Sequence, residues 1–415
     1  MFRKLKTFEE AQKAIGDQFK PVFLGEEETV LLEAYNRVLN EDIISTLDIP
    51  PFNRSTVDGY AVKAQDTFGA DENQPAILNF SGTVNIGEEP KMALGKGEAV
   101  EIVTGAPIPE GADAAVMVED TEREGNELRV FSGVNVNENV MKLGSDLKKG
   151  TIVLKKGQVL GSPEIGVLAA LGLTKVKVLK IPIIAVLSTG SEVTEPGKPL
   201  PAGKIYDINA YSLSAAVIES GGKPVYFGVV PDEKTVLSKI MQTALASSDM
   251  MITSGGVSVG PRDYTPQIVD SLGKPGIIVY GISVKPGKPT TVWFVGNKPV
   301  FSLPGHPTSA LLMFYLLARP LIQRLAGRPV APMKKLMAFS GSRMFSAKGR
   351  RTFVMVKLEF DKECRLIAEP VETGASGAIT TLANADGFVE IPENEQFVDV
   401  NAEVAVVLFR SSGKV

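Results

Sequence analysis

The sequence is short of the residues that carry soft-metal and nucleophilic chemistry. Cys364 is the only cysteine in 415 residues, which excludes an internal disulfide and any CxxC zinc cluster and fits a reducing cytoplasm. His306 is the only histidine, which excludes a multi-histidine metal site and argues against a Ser-His-Asp triad. No apolar run reaches the roughly 18 residues that a membrane-spanning helix needs. The formal net charge of −4 is spread without long single-sign blocks, so neither nucleic acid nor an acidic membrane surface is indicated as a partner. The opening MFRKLKTFEEAQKAI reads as a charged amphipathic helix rather than a signal peptide. Chemistry is left to carboxylates, lysines, hydroxyls, backbone amides and a hard metal ion.

What is present is ordinary globular material, 44% hydrophobic and 22% charged, long enough for roughly two to four domains. Residues 1–48 read as helical, with Phe8, Ala11, Ile15 and Phe19 near one face and EETVLLEAYNRVL continuing the pattern. Pro50-Pro51 break it. Residues 49–140 change to short apolar runs punctuated by glycine, the texture of a mainly β domain. Residues 141–178, with SPEIGVLAALG started by Ser162 and Pro163, read as helical again and are expected to pack on the N-terminal helices as a discontinuous domain. From 179 to 328 strand and helix alternate: PIIAVLS, NAYSLSAAVIESGG, KPVYFGVV, DEKTVLSKIMQTALAS, DMMITS, PQIVDSLG, GIIVYGISV, VWFV with PVFSLP, and a long closing helix SALLMFYLLARPLIQRLAG. That alternation predicts a mostly parallel sheet covered on both faces. A linker, GRPVAPMKK (327–335), leads into a small antiparallel β domain over 329–415.

The polar residues of the α/β region gather after its strands. Thr189-Gly190-Ser191-Glu192 follows the first strand and Pro231-Asp232 the second; TSGGVSVGPRDYT (253–265) follows the third. Lys285-Pro286-Gly287-Lys288-Pro289 and Leu303-Pro304-Gly305-His306-Pro307 follow later ones. The carboxyl ends of strands form the ligand-binding edge of open α/β sheets, so these loops are expected to converge. Each also has a plainer explanation. SGGVSVG is neither a Walker motif nor GxGxxG and can be a simple turn, although its closely spaced amides suit an anion. Asp232 can cap the helix after it, yet Asp232 with Asp263 at neighbouring strand ends suits magnesium beside a phosphate. Two loop lysines are usually just solvated, but the stiff spacing in KPGKP can aim both ammoniums at one oxyanion. Ser191-Glu192 can start a helix, His306 can be a turn residue, and Cys364 reads as an inert strand residue. Together these residues describe a magnesium-assisted site for a phosphorylated, polyanionic ligand.

The motifs DIPPFNRSTVDGYAV (48–62), EIVTGAPIPEGADAAV (101–116), STGSEV (188–193), SGGVSVGPRDYT (254–265), VKPGKPT (284–290) and LPGHPTSA (303–310), with GRRTF (349–353) and TGASGAITTLANADGF (373–388), occur in order along nearly the whole chain. In this the sequence resembles the molybdopterin molybdenumtransferase family, called MoeA in bacteria and the gephyrin E domain in animals. The resemblance implies a multidomain α/β plus β protein. Its parts would be a discontinuous helical domain (1–48 and 141–178), a β-rich domain (49–140), a molybdopterin-binding three-layer α/β/α domain (179–328) and a C-terminal small β-barrel (329–415). It further implies a cytoplasmic homodimer whose cleft is shared between the α/β domain of one chain and the second domain of its partner. Adenylylated molybdopterin and molybdate would be the substrates, magnesium the cofactor, AMP a product, and the molybdopterin adenylyltransferase a candidate partner.

Carried over motif by motif, Asp58 and Thr104 would reach into the partner's cleft, and Glu192, Asp232 and Asp263 would be its acidic residues, the last two holding the metal. Thr189, Gly190, Gly255, Gly256, Ser258 and Gly260 would bind molybdopterin and nucleotide. Lys285, Lys288 and Ser309, with Arg350 and Ser376 of the last domain, would face molybdate. The chain departs from the family at His306, where Pro-Gly-Asn-Pro is common, and this bears on molybdate against tungstate. Two other readings are a non-catalytic dimeric scaffold, which would need a dedicated apolar groove, and an adenylyltransferase. The Asp58 and Thr104 motifs and the barrel argue against the latter, for which a lone α/β domain would suffice.

Overall fold

The computed structural model describes residues 5–255, 265–330, 332–371 and 380–409. The expected Gly256, Ser258, Gly260, Asp263 and Ser376 lie outside the described residues. The chain forms two compact units: residues 41–156 with 162–175, and residues 1–40 with 157–161 and 176–415.

The first helix, α1 (Phe8–Gln18), is started by a capping box in which Thr7 Oγ1 accepts from the Glu10 amide and the Glu10 carboxylate accepts from the Thr7 amide. Its apolar face, Phe8, Ala11 and Ile15, is buried in the same core as the strands of the α/β sheet. Each such phenylalanine or isoleucine contributes roughly 1.5–3 kcal/mol of burial. The helical pattern expected beyond α1 does not materialise. Glu26–Val30 is a strand that pairs with Lys175–Leu179. Gly25 and Asn36 take positive φ (98° and 63°) on either side of it, so no helix can run through. Leu32 is 85% and Tyr35 58% exposed, so their apolar spacing serves no core within this chain. Residues 141–178 likewise hold one helix, α2 (Ser162–Ala170), among short strands.

The 41–156 unit carries a six-stranded sheet of β1 (Gly59–Val62), β2 (Ala76–Val84), β3 (Glu98–Ile102), β4 (Ala114–Met117), β5 (Thr121–Glu124) and β6 (Glu127–Val130), in the order β4-β1-β3-β2-β6-β5. Period-two alternation sends Tyr60 and Val62 to one core and Ala61 to another. Gly59 is obligatory at the start of β1. A Cβ there would sit 1.9 Å from the Val116 carbonyl oxygen, and its φ is 153°.

In the larger unit, β7 (Ile183–Thr189), β8 (Lys223–Val230), β9 (Met250–Ser254), β10 (Pro275–Tyr280), β12 (Thr291–Val295) and β13 (Lys298–Leu303) form one sheet in the order β8-β7-β9-β13-β12-β10, with β11 (Val284–Lys285) lying outside it. The first four strands of that order are parallel, and β12 runs antiparallel to both its neighbours. Ile184 and Val186 face a layer holding α1, α3 (Asn209–Glu219), α6 (Pro307–Met313) and α7 (Arg319–Leu325). Ala185 and Leu187 face α4 (Lys234–Ala246) and α5 (Thr265–Leu272). The three-layer α/β/α architecture is therefore present, with every β7 side chain from Ile184 onward buried. The long closing helix is continuous but contains a π-helical turn, Phe314–Ala318, directly before Arg319-Pro320. Pro320 has no N–H to give and would crowd the preceding carbonyls, which the wider turn accommodates.

The expected strand GIIVYGISV is two. β10 belongs to the α/β sheet, while β11 pairs with the C-terminal domain. There β14 (Lys335–Ser340), β15 (Arg351–Phe360), β16 (Leu366–Pro370), β17 (Gly387–Ile391) and β18 (Glu403–Leu408) close in the cycle β15-β16-β14-β18-β17-β15, a five-stranded barrel. Cys364 is not a strand residue: it is exposed in the β15–β16 turn at φ 59°.

Candidate functional site

Strand direction settles which loops meet. β8, β7, β9 and β13 end at the same edge of the sheet, β10 ends there too, and the antiparallel β12 begins there. A cleft of about 700 Å³ opens at that edge. Thr189 and Glu192 after β7, Gly255 after β9, and Gly305 and His306 after β13 line it together. Among the described residues, Asp232, Lys285, Lys288 and Ser309 do not line it.

The turns are held by close backbone approach. A Cβ on Gly255 would lie 2.4 Å from the Thr189 carbonyl oxygen and 3.0 Å from Thr189 Oγ1, at a φ of 85°. A Cβ on Gly190 would stand 2.8 Å from both Glu192 carboxylate oxygens, so the glycine lets that carboxylate fold back over its own loop. His306 precedes α6 in extended conformation and its carbonyl accepts from the Ala310 amide, while its exposed side chain stands at the cleft. Asp232 is exposed just past β8, whose Val230 pairs with Thr189.

Sequence reasoning passed over the wall facing these turns, supplied by Tyr206, Asp207, Ile208 and Asn209 at the start of α3. Asp207 is buried, accepting from the Ala210 amide (3.0 Å) and from the Tyr226 hydroxyl (2.9 Å). Burial, and then the Asp207 carboxylate, pushes the Tyr226 phenol well above its ordinary value. Asn209 Nδ2 donates to Ser254 Oγ (2.6 Å) and to the Gly305 carbonyl (2.7 Å), tying the turns after β9 and β13 together. Three buried atoms, Ser188 Oγ, Thr189 Oγ1 and Asn209 Oδ1, have no hydrogen-bond partner among the described residues. The available signal was the Asp-x-x-Ala spacing of a helix start, which reads as capping and nothing more.

The lysine turn sits further along the edge. The Thr290 amide and hydroxyl both donate to the Gly287 carbonyl (3.1 and 2.7 Å), and Gly287, at φ 108°, would press a Cβ onto the Met313 side chain. β11 pairs Val284 with Arg351 and Lys285 with Thr352, which sets exposed Lys285 beside the turn holding Arg350. The neighbouring Arg351 is engaged with Glu9, Glu390 and Glu393. Ser309 is buried in the first turn of α6.

Asp58 and Thr104 lie in the other unit, and there they meet. The Thr104 amide donates to Asp58 Oδ1 at 2.6 Å. That amide, and then the Thr104 hydroxyl, holds the exposed Asp58 carboxyl below the usual carboxylate range. Among the described residues no group of three or more His, Cys, Asp or Glu is arranged to hold a metal. The oxygens that line the cleft, from Glu192, Ser188 and Thr189, are hard donors that suit magnesium rather than a soft metal, and Asp232 adds a carboxylate only outside that lining.

Comparison with known families now fixes the class. Residues 185–324 match the profile of a molybdopterin binding domain. Residues 6–172 match the MoeA N-terminal region (domains I and II), and residues 338–409 match the MoeA C-terminal region (domain IV). The chain belongs to the MoeA family of molybdopterin molybdenumtransferases. The molybdopterin molybdenumtransferase of a Nostoc species is 33% identical over 91% of this chain and 87% of its own length. That of Bacillus subtilis is 33% identical over 93% of this chain and 90% of its own. A crystal structure of the molybdopterin biosynthesis MoeA protein of a Pyrococcus species superposes with a TM-score of 0.80, at 42% identity, covering 99% of this chain and 100% of that one. Among the described residues, no helix is long and apolar enough to cross a membrane.

Proposed function

We propose that this protein is a molybdopterin molybdenumtransferase, which inserts molybdate into adenylylated molybdopterin and releases AMP. The observation that carries the reading is the cleft at the carboxyl edge of the sheet, lined by Thr189, Glu192, Gly255 and His306 within a chain related over 91–93% of its length to such enzymes. The family match extends to both regions flanking the α/β domain, which supports this reading over that of an adenylyltransferase.

The chain's own residues divide the work. Backbone amides of the turns at Gly190 and Gly255, continued by Gly256, Ser258 and Gly260, cradle the phosphate end of the substrate. Lys285 and Lys288, with Ser309, Arg350 and Ser376, attract and orient molybdate, a tetrahedral dianion, and β11 is what sets Lys285 beside the Arg350 turn. Asp232 and Asp263 would hold magnesium, which when bound neutralises charge on the pyrophosphate as AMP leaves. Glu192 orients donors at the cleft mouth. Asp58, kept ionised by Thr104, completes the cleft from the partner chain of a cytoplasmic homodimer. We further propose four domains, 1–48 with 141–178, 49–140, 179–328 and 329–415, a finer division than the two compact units.

The test incubates the full-length protein with adenylylated molybdopterin, molybdate and magnesium and follows AMP release and cofactor formation. Release no faster than in a protein-free control rejects the assignment.

A further inference from the structure

Another pocket, of about 330 Å³, lies within the larger unit at the edge of the sheet opposite the cleft. Leu179, Lys180 and Ile181 lead into β7 there, and Gly221 and Gly222 leave α3 for β8, so the pocket sits where these strands begin. Three cations line it, Arg37, Lys180 and Arg328, and among the described residues the lining contains no carboxylate. In a chain of net charge −4 such a gathering does not follow from composition. Arg37 donates to the Glu27 carboxylate and to the Leu179 carbonyl (2.7 Å). Arg328 donates to the carbonyl of Asn36, a residue at φ 63°, and among the described residues it has no acidic partner. Its guanidinium rests on Gly221, where a Cβ would meet Nε at 2.4 Å, so the glycine makes the room. Burial, and then the Arg37 charge, hold Arg328 below its ordinary value. The Lys180 side chain lies over Gly25, and among the described residues its Nζ has no ion-pair partner either.

Charges drawn out of water need a partner, and two guanidiniums lining one pocket repel each other. Glu27 answers one of the three positive charges. The C-terminal end of α3, worth about half a negative charge, answers part of another. Roughly one and a half positive charges remain, close to the charge of a phosphate monoester at neutral pH, about −1.5 to −2. A carboxylate would leave part of that surplus unanswered. The planar forks of two arginines match the edges of a phosphate, and an ammonium adds a point charge. The pocket is also roomier than an inorganic anion needs, falling at the small end of the range for organic ligands. Its remaining walls are Val38, Leu179 and Ile181, and its rim is Tyr35 and Ile218, both 58% exposed. We propose that this pocket binds a small phosphate monoester, the phosphate held by Arg37, Lys180 and Arg328 and the flat or apolar body lying against Tyr35 and Ile218. The site is separate from the cleft and independent of the function proposed there. Asn209 starts α3 at the cleft, and the chain leaving the other end of that helix enters this pocket at Gly221.

The experiment reads Lys180 alone, so phosphate held elsewhere on the protein does not enter. Full-length protein is trace-acetylated in inorganic phosphate, in phenyl phosphate, or in chloride of equal ionic strength, and labelling of each lysine is quantified by peptide mass spectrometry. Saturating phosphate should slow Lys180 labelling at least about threefold against chloride, the value of a single modest contact, and leave exposed Lys362 on the barrel unchanged. Phenyl phosphate should protect at a concentration roughly three- to tenfold lower, because its ring covers Tyr35 and Ile218. Tyr35→Ala should erase most of that advantage while inorganic phosphate protects as before. Arg328→Gln should raise the phosphate needed by roughly tenfold or more, and Arg328→Lys, which keeps the charge without the fork, by less. Unfolding midpoints are recorded beside each titration, since Arg328 also holds the Asn36 carbonyl. A merely structural arginine would lower the midpoint and leave protection unchanged, which would overturn the site. Equal labelling of wild-type Lys180 in phosphate and chloride would overturn it as well. So would slow labelling without phosphate that speeds up on dilution, because the cations would then be covered by a second copy of the chain.

Discussion

Gly255→Ala tests whether the cleft depends on close approach of the turns after β7 and β9. The added Cβ would meet the Thr189 carbonyl oxygen at 2.4 Å, where ordinary contact begins near 3.4 Å, so backbone must separate by about 1 Å. The residue also keeps a φ of 85°, which costs an alanine roughly 1–2 kcal/mol. Loss of unfolded-chain freedom returns about 0.4–1 kcal/mol of that. Forcing packed backbone apart adds roughly 1–3 kcal/mol. The sum is a destabilisation of about 2–4 kcal/mol. Gly125 supplies the control, having a φ of 61° and nothing within 4 Å of a built Cβ. Gly125→Ala carries only the dihedral part, roughly 1 kcal/mol or less after the entropy return. Urea unfolding of both variants, read beside turnover, separates the terms. Gly255→Ala should fall below Gly125→Ala by at least about 1 kcal/mol and lose on the order of a hundredfold in turnover, since a 1 Å misplacement at a site costs that much. Equal stability of the two variants, with turnover intact, would show that the Thr189–Gly255 contact positions nothing.

Thr104→Val removes the lesser of the two bonds that depress Asp58, so its titration should move up toward, but not reach, the ordinary value near 3.9. Carbon-13 carboxylate shifts measure this directly, and an unmoved titration refutes a role for the hydroxyl. Because the folded value is depressed, the bond is fully present above the unfolded value and is lost only as pH falls through the folded one. Tyr226 has the opposite sign. Its folded value is raised, so the unfolded chain sheds the proton first and stability should fall as pH rises past about 10. Tyr226→Phe should flatten that alkaline slope and cost about 0.5–1.5 kcal/mol at neutral pH, since Asp207 keeps its bond from the Ala210 amide. A mixed dimer of an Asp58→Ala chain with an Asp263→Ala chain should regain one working cleft, about half of wild-type turnover if the two clefts act independently. Two folded chains without recovered activity would refute the shared cleft.

The larger α/β region was legible because its strands are buried on both faces and its helices are amphipathic. Runs such as Ile184 to Leu187 leave little room for another reading. Strand order then did the rest, bringing Thr189, Glu192, Gly255 and His306 to one cleft although 117 residues separate the first and last in sequence. The failures share a cause. Leu32 and Tyr35 carry helical spacing without a core to face, and β11 leaves the sheet of its neighbour β10 for the barrel. Apolar periodicity shows that a segment can bury a face but not against which partner, and a backbone break such as Asn36 at positive φ is nearly silent in sequence.

The cleft's far wall was missed for a different reason, and it changes how the turn that opens at Gly255 should be understood. Asp207 and Asn209 look like helix-start residues, and Asp207 does accept from the Ala210 amide. What sequence cannot express is that the same short segment also ties down Ser254, the last residue of β9, and Gly305 in the turn after β13. A glycine-rich turn has little conformational preference of its own, so its service as a binding wall must be imposed from outside. Here the imposition comes from one buried amide and from Thr189 packed against Gly255. Gly255 permits the approach, and residues some 45–65 positions away in sequence, Asn209 and Thr189, enforce it.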